Sequence, residues 1–185
     1  SQTMQTLTNY EDIVKEMLFY FSERVAKART FGINDLILDP GFGFAKTIDQ
    51  NYEVFQKMEL FKKSGLSAYV GKVNMDRNSP PFLIETPEDS IKDTQYLIEK
   101  YNDKDSLVKF IITPRFVPTC SPELMEGLSE LAKKYDMPIQ SHLSENYGEI
   151  SWVSELHPDK KNYADVYDSY GMFGTKPTIM AHCIH

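Results

Sequence analysis

The sequence predicts an α/β fold, part of a (β/α)8 TIM barrel built from about five parallel βα units. Three observations predict it. Short apolar runs alternate with longer amphipathic ones along the chain. The apolar runs are continuous rather than alternating, as suits strands covered on both faces. Polar residues sit at the carboxyl end of run after run, where chemistry gathers in parallel α/β folds. An open doubly wound sheet satisfies all three observations equally well.

The elements follow in order. Thr8 or Asn9 is expected to cap a helix from Tyr10 to Thr30, with Ile13, Met17, Leu18, Phe21 and Val25 on one face and Gly32 closing it. Asp35-Leu36-Ile37-Leu38-Asp39 reads as a strand that ends in the glycine-containing loop Pro40 to Phe44. A helix from Asp49 to Lys63 leads, past Gly65, to a strand from Ala68 to Met75. Thr86-Pro87 opens the next helix, and Val108 to Ile112 reads as a strand ended by Pro114-Arg115-Phe116. Ser121-Pro122 opens another helix, followed by a strand from Met137 to Ser144. A helix through Ile150, Val153 and Leu156, a short helix within Asn162 to Gly174 and a strand from Thr178 to Ile184 complete the series.

Composition narrows the function. A formal net charge of −7 gives no electrostatic case for nucleic acid or an anionic membrane. No apolar run approaches the roughly 18 residues of a membrane span, and the polar opening Ser1 to Tyr10 does not read as a signal peptide. Cys120 and Cys183 make no metal-spacing pair; they read as buried small hydrophobes in a reducing, cytoplasmic setting.

The strand-end residues are Asp39, Asn74 with Asp76, Arg115, His142 with Glu145, and His182. On a strand, Gln140, His142 and Ser144 share one face, which in a barrel points inward, where an imidazole ligates Zn²⁺. Glu145 follows, placed for a carboxylate to move the proton of a metal-bound water. The alternative is a core histidine hydrogen-bonded to backbone beside a solvated glutamate, and His182 carries the same two readings. Arg115 reads either as a guanidinium for a heterocycle carbonyl or carboxylate, or as a loop cation. The loop from Asp39 to Phe44 reads as a cradle for a flat heterocycle or as a plain turn. His157 reads as solvent-facing, His185 as a frayed end, and Met75, Met125 and Met180 as core.

Two resemblances follow from longer motifs. AYVGKVNMDRNSP (Ala68 to Pro80), ITPRFVPTCSPELM (Ile112 to Met125), PIQSHLSEN (Pro138 to Asn146) and PTIMAHCIH (Pro177 to His185) resemble guanine deaminase, of the amidohydrolase superfamily. SQTMQ (Ser1 to Gln5) and LILDPGFGFAKTIDQNYEV (Leu36 to Val54) resemble dihydropteroate synthase. Both families are (β/α)8 barrels. The resemblances imply a synthase-like segment, residues 1–66, and a deaminase-like segment, residues 67–185, packed as one domain with the join between about residues 60 and 68.

For the second segment the resemblance implies His142 as a zinc ligand, Glu145 as proton shuttle, His182 beside the hydrolytic water and Arg115 as the guanine-binding arginine. For the first it implies Asp39 and Met4 as pterin contacts and Phe44 as lining an aminobenzoate pocket. The deaminase family's first-strand His-x-His pair and eighth-strand aspartate have no counterpart here, and a catalytic zinc normally takes three protein ligands. The expectation is therefore an engineered or recombined chimera, catalytically inactive alone, with a zinc-dependent guanine deaminase as the alternative. Possible ligands are a purine (guanine) or a pterin. About five strands leave an eight-stranded barrel open, so self-association through exposed sheet edges is expected.

Overall fold

The computed structural model describes residues 9–34, 36, 38, 45–57, 60–61, 68–101, 108–174 and 176–185, in two compact units, Ser1–Ala68 and Tyr69–His185. The expected strand from Asp35 to Asp39 lies outside the described residues apart from Leu36 and Leu38. Met4, Asp39 and Phe44 lie outside them too.

In the first unit, α1 runs Ile13–Thr30 and α2 runs Ile48–Gln56. The start of α1 corrects the expected cap. Asp12 is the capping residue, its carboxylate accepting from the Lys15 N–H at 3.0 Å, while Glu16 reaches back to accept from the Glu11 N–H at 2.9 Å. These reciprocal bonds satisfy N–H groups that the helix cannot serve itself, which fixes the end at Asp12 rather than Thr8 or Asn9. Gly32 at φ 77° closes the helix, as its position predicts, where a side chain would be strained. A small core of Ile13, Val14, Val54 and Phe61 holds the unit, with Phe21 meeting Phe61 edge-on at 6.2 Å.

In the second unit the strand pieces are β1 (Ala68–Val70), β2 (Val73–Asn74), β3 (Val108–Phe110), β4 (Thr113–Pro114), β5 (Ile139–Leu143) and β6 (Thr178–His182). β1 pairs with β3, β2 with β4 in parallel, and β5 with β6 in parallel. A parallel bridge between Ile112 and Ile139 continues the series from β4 to β5. The order is that of the chain, without the reversal that marks a doubly wound sheet, so the arc fits a TIM-barrel segment of parallel βα units.

The expected strand from Ala68 to Met75 is broken at Gly71-Lys72. A Cβ on Gly71 would lie 2.0 Å from the Ile111 carbonyl oxygen and 2.2 Å from Thr113 Oγ1. The neighbouring strand approaches so closely there that only glycine fits.

The helices are α3 (Pro87–Tyr101), α4 (Pro122–Tyr135), α5 (Tyr147–Leu156) and α6 (Tyr163–Ser169). Each starts on a side-chain oxygen that accepts a backbone N–H three residues on: Thr86 from Asp89 at 3.1 Å, Ser121 from Leu124 at 3.1 Å, Asn146 from Glu149 at 2.9 Å and Asn162 from Asp165 at 2.9 Å. The core beneath them includes Ile98, Ile112, Leu124, Leu128, Val153 and Tyr167. Among the described residues no helix is long and apolar enough to cross a membrane.

Candidate active site

The ends of β5 and β6 bring three of the anticipated residues together. The His142 and His182 rings stack with centroids 5.5 Å apart and planes 29° from parallel. His182 Nε2 lies 3.8 Å from Glu145 Oε2. Parallel pairing sets this placement, with His142 opposite Ala181 and Leu143 opposite His182.

The strand ends are held in uncommon backbone conformations. Ser144, His182 and Cys183 have φ of 53°, 73° and 53°, in the left-handed region that costs non-glycine residues energy. At Ser144 this turn corrects the expected shared face: Gln140 and His142 are half-buried, whereas Ser144 is buried and off the strand. The same turn lifts Glu145 out to solvent. Cys183 donates its N–H to the Leu143 carbonyl at 2.8 Å, holding the two ends side by side.

His142 Nδ1 is 2.7 Å from the Arg115 carbonyl oxygen. A carbonyl only accepts, so Nδ1 donates to it; in the neutral imidazole Nε2 is then left bare, the arrangement that presents an imidazole to a metal. Arg115 donates its own N–H to the Asn74 carbonyl at 3.1 Å. Its guanidinium lies 5.2 Å from the Phe116 ring centroid and 3.4 Å from Ser79 Oγ, and is exposed.

Other members of the strand-end series serve the fold. Asn74 is buried and donates to Ser90 Oγ at 2.9 Å and Thr94 Oγ1 at 2.8 Å on α3. Asp76 accepts from the Ser121 N–H at 2.7 Å, at the start of α4. His157 is not simply solvent-facing: it is half-buried, and burial lowers its pKa. His185, though exposed, packs its ring 4.2 Å from that of Tyr147. Of the two thiols only Cys120 is buried; Cys183 is exposed, because the left-handed turn after β6 takes it off the strand.

Two further residues lie beside the site: Ser141, inside the quoted stretch Pro138 to Asn146 but given no role there, and Tyr167, which belongs to no motif. Ser141 and Tyr167 bury hydroxyls that touch at 2.7 Å directly beneath the strand ends. They are 26 positions apart, so no local pattern links them.

The chain belongs to the amidohydrolase family, whose profile matches residues 6–185. The guanine deaminase of Escherichia coli is 36% identical over 186 aligned residues, covering 99% of this chain and 40% of that one. The crystal structure of guanine deaminase from C. acetobutylicum, with guanine bound in its active site, is 54% identical, with a TM-score of 0.65 over 72% of this chain and 32% of that one. A dihydropteroate synthase from Synechocystis is 44% identical over 72 residues, 38% of this chain and 25% of that one. The chain spans between 25% and 40% of the first curated guanine deaminases it matches.

Proposed function

We propose that this chain carries the strand-five and strand-six portion of a zinc-dependent guanine deaminase site, which converts guanine and water to xanthine and ammonia. The observation behind it is the meeting of His142, Glu145 and His182 at neighbouring parallel strand ends, with His142 held in the tautomer that leaves Nε2 bare. The similarity to guanine deaminases supports the same reading.

The donor chemistry at His142 suits zinc, and Nε2 is the atom that would bind it. Among the described residues there is no group of three or more His, Cys, Asp or Glu able to hold a metal ion, whereas a catalytic zinc normally takes three protein ligands. When bound, zinc supplies a water of lowered pKa, usable as hydroxide near neutral pH. Glu145 would take a proton from the attacking water at its carboxylate and pass it to the ring nitrogen beside the attacked carbon, then carry the second water proton to the amine as ammonia leaves and the carbonyl forms. His182, within reach of Glu145, orients that carboxylate and the attacking water. Arg115 offers its fork of N–H donors to the purine carbonyl.

The inactive chimera expected from the sequence is the weaker reading. The amidohydrolase match runs across residues 60–68, where the join was expected, and the E. coli enzyme aligns over nearly the whole chain. The synthase likeness remains over 72 residues. A pterin site there would need Met4, Asp39 and Phe44, all outside the described residues. Binding of a purine without turnover is the second reading, favoured by the incomplete donor set.

Zinc analysis of the purified chain with an assay for xanthine and ammonia separates these. The deaminase reading expects zinc retention that His142→Ala removes, and turnover that Glu145→Gln lowers by about 10²–10⁴-fold while zinc stays bound. A folded chain with neither zinc nor xanthine returns the inactive reading; guanine binding without xanthine returns the second. Sedimentation over a concentration series tests closure of the arc by a second copy, and a monomer throughout refutes it.

A further inference from the structure

We propose that Tyr167 and Ser141 are positioning residues for His142. Their paired hydroxyls hold the ends of β4 and β5 so that Nδ1–H donates to the Arg115 carbonyl and Nε2 of the neutral ring stays free. This rests on the strand-end reading of the site and adds two residues to which the sequence analysis gave no role.

The hydroxyl geometry carries the argument. Tyr167 OH lies 2.8 Å from the His142 carbonyl oxygen and 2.7 Å from Ser141 Oγ. Ser141 Oγ lies 2.8 Å from the Pro114 carbonyl oxygen and 3.3 Å from that of Arg115. Both residues are buried, Tyr167 completely. Its ring is fixed by stacking on Tyr163, with centroids 5.6 Å apart and planes 11° from parallel.

The proton count limits what this pair can do. Two hydroxyls carry two protons and face the carbonyls of Pro114, Arg115 and His142. Two hydroxyl oxygens at 2.7 Å attract only if one donates to the other. If Ser141 donates to Tyr167, Tyr167 donates to the His142 carbonyl, and α6 braces β5. If Tyr167 donates to Ser141, Ser141 donates to Pro114, and α6, β5 and β4 are tied together. In both arrangements the backbone on one side of the His142–Arg115 bond is clamped where that bond is made. A small parting of β4 and β5 would release the Nδ1 proton from Arg115 and let the ring exchange tautomers.

The test is the tautomer of His142, read from long-range ¹H–¹⁵N spectra of the metal-free chain with its ring neutral. His142 is expected as the Nδ1–H form. Tyr167→Phe and Ser141→Ala should each raise the share of the Nε2–H form, by about fivefold on the scale of one neutral hydrogen bond. Ser141→Ala should have the larger effect, because of the two hydroxyls only that of Ser141 reaches the carbonyls of Pro114 and Arg115. A hydroxyl that only supports the core would lower the melting temperature and leave the tautomer unchanged. An unmoved tautomer in either folded variant overturns the proposal, as does a wild-type His142 in the Nε2–H form. Failure of both variants to fold also overturns it, by making the pair a folding determinant. A tautomer that moves in a chain without zinc or xanthine sinks the deaminase reading alone; turnover with an unmoved tautomer sinks this proposal alone.

Discussion

The two compact units solve the burial problem differently. In the second, strands and helices share a continuous core: Ile112 from beside β4, Leu124 and Leu128 from α4, and Tyr167 from α6 all lie within it. In the first, the buried cluster among the described residues is Ile13, Val14, Val54 and Phe61, and α1 leaves Phe19 and Tyr20 exposed. The strand-end histidines sit on the first kind of foundation. A catalytic arrangement must be held to a fraction of an ångström, and only a support packed from several directions resists displacement.

The largest expected contrast comes from the interiors. Leu128→Ala should cost about 2–5 kcal/mol in urea unfolding, because the surrounding helices and strands cannot collapse into the space. Val54→Ala, in the smaller cluster, should cost less, about 1–2 kcal/mol. Equal losses would break the contrast.

Gly71→Ala comes next. Its Cβ would meet the Ile111 carbonyl oxygen, backbone that does not yield as a side chain would, so β1 and β3 must part at a cost of about 1–3 kcal/mol. A variant as stable as the parent would show that the strands are looser than their spacing indicates.

Helix caps should erase the difference between the units, because capping is local. Ser121→Ala should cost about 1 kcal/mol by orphaning the Leu124 N–H. Asp12→Ala should produce a comparable change in the thermal unfolding of α1. A cap that matters in one unit only would mean that tertiary packing, not the orphan N–H, sets its worth.

The smallest effect separates the two thiols of the second unit. Burial pushes Cys120 from 9.0 up to about 11, while Cys183 is exposed. Iodoacetamide at pH 8 should therefore alkylate Cys183 and spare Cys120, checked by mass spectrometry. The folded state holds the Cys120 proton more tightly than the unfolded chain does. Its contribution is full below about pH 9 and is lost as pH rises toward 11. Stability that is flat over this interval would contradict the burial.

The sequence by itself determined where α3 and α4 begin, because a cap is a contract between residues three apart. Thr86-Pro87 and Ser121-Pro122 open α3 and α4 where they stand in the chain. Near α1 the expected cap was Thr8 or Asn9, and the helix starts on Asp12 instead, with Glu16 reaching back toward it. The alternation of apolar runs gave the parallel βα order, and the strand-end polar residues gave His142, Glu145 and His182. Tertiary structure alone decided the rest. The break at Gly71 depends on Ile111, in the next strand. Asn74 proved structural because α3 lies over it, and the tautomer of His142 depends on a carbonyl 27 positions away. Short-range chemistry is written into neighbouring residues, whereas close approach, burial and proton placement arise only when distant strands meet.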